Sequence, residues 1–160
     1  MLRLTREAEY GLLAMAYIAG RPEGELAYRR EIAAHHNIPR EFLAKVLQKL
    51  SREGLIKSYR GIRGGYLLAK VPDEITLADM VRAVDGPMAL VECAGKGAGC
   101  PQFEVCALRE ALCDLQQSIV RILQGISLKD LTRRVQRKRS EAAPAPGGAG
   151  GATTRGGGSR

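Results

Sequence analysis

Leu43, Val46, Leu47 and Leu50 recur at i, i+3, i+4 and i+7. That spacing puts four apolar side chains on one face of an α-helix. Pro39 stands where a first helical residue belongs, and Gly54 closes the run. The neighbours of this helix constrain the fold further. A shorter helical stretch, Arg29 to His36, precedes it across a break of only a few residues at Asn37-Ile38. After it come Leu55-Ile56-Lys57-Ser58-Tyr59, then Arg60-Gly61-Ile62-Arg63-Gly64-Gly65, then Tyr66-Leu67-Leu68. Two short strand-like runs around a glycine-rich turn read as a β-hairpin.

Helix, tight break, helix and basic hairpin is the order of a winged helix-turn-helix. The rest of the chain reads as mostly helical. Thr5 is placed to cap a helix with Glu7 and Glu9 in its first turn. Thr76 and Asp79 form a capping box before Leu77, Met80, Val81 and Val84, and Asp85-Gly86-Pro87 stops that helix. Leu108, Leu112, Leu115, Ile119, Ile122 and Ile126 alternate spacings of four and three, the seam of a helix that packs lengthwise on a partner. Ser127-Leu128-Lys129-Asp130 opens one more short helix. The expected fold is therefore mostly α with a small β-hairpin: a winged helix-turn-helix domain plus a long dimerisation helix. The expected division is 1–85 for the winged domain, 86–106 for a cysteine-rich loop, 107–139 for the dimerisation and C-terminal helices, and 140–160 for a disordered tail. That tail is mostly Ala, Pro, Gly, Thr and Arg, with little apolar area to offset ordering entropy.

The chain has 160 residues, enough to bury a core without disulfides, and Trp is absent, so the core must be aliphatic. Its net charge of +8 favours phosphate-bearing partners or anionic surfaces. The apolar run from Gly11 to Gly20 falls short of the ~20 residues of a membrane helix, and no secretory signal precedes it. A cytoplasmic location is expected, where four cysteines are ligands, redox groups or core thiols rather than bridges.

In the second helix of the pair, the face opposite the leucines carries Arg40, Glu41, Lys45, Gln48 and Lys49. Residues near the start of a recognition helix reach base edges, so Pro39, Arg40, Glu41 and Lys45 are the candidate DNA readers. Arg60 and Arg63 at the hairpin turn can reach phosphates or the minor groove. His35 and His36 are adjacent and cannot share one helical face; surface or phosphate-contact roles suit them better than a two-histidine metal site.

Cys93, Cys100 and Cys106 place three soft ligands in one loop around Ala94-Gly95-Lys96-Gly97-Ala98-Gly99. Glycines let a backbone wrap a metal centre and aim N–H groups at sulfur, which suits an iron–sulfur cluster, 2Fe–2S or 4Fe–4S. A structural zinc site usually shows a C-x₂₋₄-C knuckle, which is missing. Unligated thiols are the third reading. Cys113 follows Cys106 by seven residues, about 10 Å along a helix, and reads as a buried apolar thiol.

Leu4-Thr5, Glu9-Tyr10-Gly11, Gly54-Leu55-Ile56, Arg60-Gly61, Gly64-Gly65-Tyr66-Leu67-Leu68 and the three-cysteine loop together resemble the Rrf-two family of bacterial transcription regulators. The likeness covers about Met1 to Leu131. It implies a homodimer on double-stranded operator DNA, controlled by a cluster that senses iron–sulfur status, iron, nitric oxide or redox state, and acting as a repressor. Some members carry a histidine three residues after the third cysteine; Arg109 stands there in this chain. In others an acid just before the first-helix tyrosine completes the cluster from the partner subunit. Glu9 holds that place, and the resemblance makes it a candidate fourth ligand; a solvated first-turn acid is the alternative.

No phosphate loop, Ser/His/Asp set or paired carboxylates argue for an enzyme or a small-molecule substrate. Two alternatives to the cluster-dependent regulator stand. One is a winged-helix regulator using its cysteines as a thiol switch or zinc site. The other is a small iron–sulfur redox protein, which leaves the helix pair and basic hairpin unexplained.

Overall fold

A computed structural model describes residues 3–61, 64–90, 101 and 105–142. Its helices are α1 (Arg6–Ala19), α2 (Arg29–His36), α3 (Arg40–Arg52), α4 (Leu77–Asp85), α5 (Arg109–Gln124) and α6 (Leu128–Ala142). Between α3 and α4 lie the strands β1 (Ile56–Ser58) and β2 (Tyr66–Leu68) and a 3₁₀ turn, Pro72–Glu74.

Local chemistry sets these boundaries. The Thr5 side chain accepts from the Ala8 amide at the start of α1, satisfying one of the helix's unpaired donors. Asn37 ends α2 at φ 51°, a left-handed conformation that asparagine tolerates. Pro39 is the N-cap of α3 rather than its first residue, and its carbonyl accepts from Leu43. The α3 stripe of Leu43, Val46, Leu47 and Leu50 is fully buried. It meets Met15 and Ile18 of α1, Ile32 of α2, Ile56 of β1, Ile75 just after the 3₁₀ turn and Met80 of α4 in one aliphatic core. A Cβ on Gly11 would stand 2.9 Å from Val84 Cγ2, so α1 and α4 approach as closely as they do only because Gly11 lacks one.

β1 and β2 pair antiparallel, with Ile56 opposite Leu68 and Ser58 opposite Tyr66. Ala27 adds an isolated bridge to Tyr66, with N–H···O distances of 3.0 and 2.9 Å, and so ties the approach to α2 to the hairpin. The core-facing elements thereby fix the hairpin beside the N-termini of α2 and α3.

α4 and α6 begin alike. Thr76 and Asp79 form a reciprocal capping box, and Ser127 and Asp130 make the same set of bonds. The two capping segments pair with each other: Leu77 donates to the Ile126 carbonyl and Leu128 to the Ile75 carbonyl, each at 2.8 Å. The helix that Ser127 opens is not short, as the sequence suggested, but runs fifteen residues. Leu128 is buried and Leu131 packs on the core, which anchors α6 back on the winged domain. α5 has no buried residue.

Candidate nucleic-acid interface and cysteine region

The N-termini of α2 and α3 and the hairpin enclose a cleft of about 830 Å³. Arg29, Arg30, Arg40 and Arg60 line it together with Tyr28 and Tyr59. Four arginines lining one open cleft make a positive surface suited to phosphate. Tyr59 donates its backbone N–H to the Gly65 carbonyl at 2.8 Å, closing the base of the turn. A Cβ on Gly64 would collide with the Tyr59 carbonyl, so the turn requires glycine there.

Arg40, Glu41 and Lys45 are exposed on α3, and Pro39 is exposed at its cap. Arg40 and Arg60 share the cleft. Arg63 lies outside the described residues. Phe42 was not singled out in the sequence; its ring is 49% exposed on α3, with Lys45 Nζ 5.9 Å from its centroid. An exposed aromatic on a recognition helix can meet a thymine methyl. Arg29, Arg30 and Tyr28 were also missed. Their signal was position: the first residues of the first helix of such a pair cross the phosphate backbone.

Lys49 does not stand with the candidate DNA readers. Its ammonium turns inward, 2.6 Å from Glu7 Oε2 and 2.8 Å from the Val84 carbonyl. It fastens the end of α3 to α1 and α4. His35 and His36 likewise face away from the cleft. Their rings are 4.7 Å apart, and both meet Tyr17 on α1, at 5.1 and 6.0 Å between centroids.

Of the candidate ligands, Cys93 and Cys100 lie outside the described residues. Cys106 is half-buried in the turn before α5, where its carbonyl accepts from Arg109. Cys113 is half-buried on α5 rather than fully buried. Cys106 therefore precedes the helix, and helical rise does not set its separation from Cys113. Glu9 sits on α1 and receives Arg6 Nη1 at 3.0 Å. Among the described residues no three His, Cys, Asp or Glu side chains gather as a metal-ligand set.

Leu108 at the N-cap of α5 and Leu115 and Ile122 within it are 66%, 52% and 64% exposed. They fall seven residues apart, one edge of the expected seam, while Leu112, Ile119 and Ile126 are half-buried.

A helix pair presenting a polar face beside a glycine-turned basic hairpin defines a winged-helix DNA-binding regulator. The family described as "Rrf2: Iron-dependent Transcriptional regulator" matches residues 4–134. The chain belongs to the Rrf2 family, whose members are transcription regulators rather than enzymes. It is 35% identical over 133 residues to "Protein aau3" of Rhizobium meliloti (strain 1021), covering 82% of this chain and 86% of the relative. The fold is similar to that of CymR (YrzC), the global cysteine regulator of B. subtilis. That match has a TM-score of 0.68 and 30% identity, covering 84% of this chain and 98% of that one. It is also similar to T. potens IscR, with a TM-score of 0.66 and 25% identity, covering 91% and 94%. No described helix is long and apolar enough to cross a membrane.

Proposed function

We propose that this regulator binds operator DNA as a homodimer and that an iron–sulfur group on its cysteine loop sets the affinity. The observation that carries the DNA part is the cleft where Arg29, Arg30, Arg40 and Arg60 converge. α3 offers Pro39, Arg40, Glu41 and Lys45 to base edges, and the hairpin offers Arg60 and Arg63 to the backbone. The exposed row Leu108, Leu115 and Ile122 is the face for a second copy.

The donor set fits an iron–sulfur group in kind. Cys93, Cys100 and Cys106 supply three thiolates, and the carboxylate of Glu9 would come from the partner subunit. Such a group supplies a site whose charge and integrity change with iron, oxidant or nitric oxide. The family's iron dependence and the likeness to IscR support this reading. Glu9 must leave Arg6 to serve, and their exposed ion pair costs little to break. Iron and acid-labile sulfide assays with visible spectra on anaerobically purified protein test it. Colour and iron that vanish in Cys93→Ser, Cys100→Ser and Cys106→Ser, and persist in Cys113→Ser, support the assignment. Iron-free, colourless wild type refutes it.

The likeness to a global cysteine regulator favours a second reading, in which the thiols act without a cluster, as a redox switch or zinc site. The same assays separate the two, since that protein would be colourless and its operator affinity would respond to thiol oxidation or chelation.

A further inference from the structure

The positive charge of this chain is concentrated away from its winged helix. Residues 1–85 carry fourteen basic and eleven acidic side chains. The fifteen residues of α6 carry six basic ones, Lys129, Arg133, Arg134, Arg137, Lys138 and Arg139, against Asp130 and Glu141. One helix thus holds four of the net +8.

The helix has two halves. In the first, Leu128 and Leu131 face the core, Asp130 is tied to Ser127, and Lys129 pairs with Asp73 at 2.5 Å. In the second, Arg133, Arg134 and Arg137 are exposed. Positions 133 and 137, and 134 and 138, are like-charged neighbours at i, i+4, which weakens a helix in water. A polyanion lying along the helix would remove that penalty.

Placement favours DNA as the polyanion. Thr132 and Val135 line a small cavity with Tyr17, His35 and His36, at the C-terminal end of α2. Arg29 and Arg30 stand at the other end of the same helix, in the cleft. Eight helical residues span about 12 Å. The cations of α6 therefore begin about one short helix and the width of that cavity away from the cleft's arginines, a span on the scale of the ~34 Å of one DNA turn. An anionic membrane fits less well. A helix that binds there needs a free apolar face, and Leu128 and Leu131 are committed to the core.

We propose that the second half of α6 is a sequence-independent contact to the DNA backbone that flanks each half-site. The proposal rests on reading the cleft as the DNA interface.

The test compares wild type with the triple variant R133Q/R134Q/R137Q by fluorescence anisotropy across a salt series. Two duplexes are used, both carrying a site selected from a random pool. One ends at the site's edges, and the other extends about ten base pairs on each side. Wild type should bind the longer duplex more tightly and with a steeper slope of log K against log salt. The variant should lose that advantage, its slope falling by about 0.9 for each contact removed, with binding to the short duplex unchanged. R133K/R134K/R137K should behave as wild type, which separates lost charge from a damaged helix. Equal slopes for wild type and the Gln variant on the longer duplex would overturn the proposal. So would a loss confined to phosphatidylglycerol vesicles. Failure of the winged-helix reading appears differently, as Arg40→Ala and Arg60→Ala binding the short duplex like wild type.

Discussion

Lys49, on the recognition helix α3, reaches across to Glu7 on α1 at 2.6 Å and to the Val84 carbonyl on α4 at 2.8 Å. One ammonium thereby ties the C-terminal end of α3 to both α1 and α4. Lys49→Met should lower stability by about 1–2 kcal/mol, because a half-buried carboxylate and a carbonyl lose their charged partner. Urea unfolding measures this. Base preference in a selection experiment should stay that of wild type; a changed preference with unchanged stability would return Lys49 to the DNA face.

The caps of α4 and α6 make stability depend on pH. Burial raises the pKa of Asp79, but hydrogen bonds from the Thr76 hydroxyl and amide, with Arg82 and Lys70 nearby, outweigh it and leave the pKa below the usual value. Hydrogen bonds from Ser127 hold Asp130 low in the same way. A carboxyl with a depressed folded pKa contributes stability above its unfolded pKa of about 3.9 and loses it as pH falls through the folded value. Asp79→Asn should therefore cost stability at pH 7, and the gap to wild type should narrow below about pH 4. Urea midpoints from pH 7 down to pH 3 check this. A gap independent of pH would assign the cost to lost cap geometry alone.

On the proposed reading, the cleft and α3 divide DNA contacts by kind. Arg29→Ala, Arg30→Ala and Arg60→Ala should weaken binding to every sequence and flatten the salt slope by about 0.9 each. Arg40→Ala and Lys45→Ala should shift base preference, with a cost of about 1–3 kcal/mol at the affected position. Gly64→Ala should act like Arg60→Ala, since its Cβ would displace the Tyr59 carbonyl and the hairpin turn. Anisotropy titrations on selected and scrambled duplexes measure all three effects.

The apolar row on α5 predicts the assembly. Leu115→Asp with Ile122→Asp should give monomers in sedimentation velocity, with the winged domain still folded, because neither side chain is in the core. An intact dimer would remove this row from the interface.

Periodicity and capping chemistry made most of the fold legible. Thr5, Thr76 and Ser127 announced their helices, and the α3 stripe announced the core. The length of α6 was less legible, because its apolar stripe of Leu128, Leu131 and Val135 is short and the mostly polar residues after it form helix well without any apolar period. The inward turn of Lys49 was hidden for another reason. Helical spacing places it on the edge of the polar face, and only the packing of α1 and α4 supplies Glu7 and Val84. The cleft was half legible: Arg40 and Arg60 followed from motif order, whereas Tyr28, Arg29 and Arg30 needed the bridge between Ala27 and Tyr66 to bring α2 beside the hairpin. Cys93, Cys100 and Arg63 lie outside the described residues, so their part of the account rests on sequence chemistry.

In the proposed function, one chain joins operator binding to an iron–sulfur group. Its most direct measurement is the affinity of anaerobically purified protein for a selected duplex, before and after the cluster is removed, with iron and sulfide counted in the same samples. A cluster-controlled regulator should be coloured, with iron and sulfide in every chain, and its affinity should change at least tenfold, about 1.4 kcal/mol, when the cluster is lost. Iron-free protein, or coloured protein whose affinity is the same in both states, would contradict it.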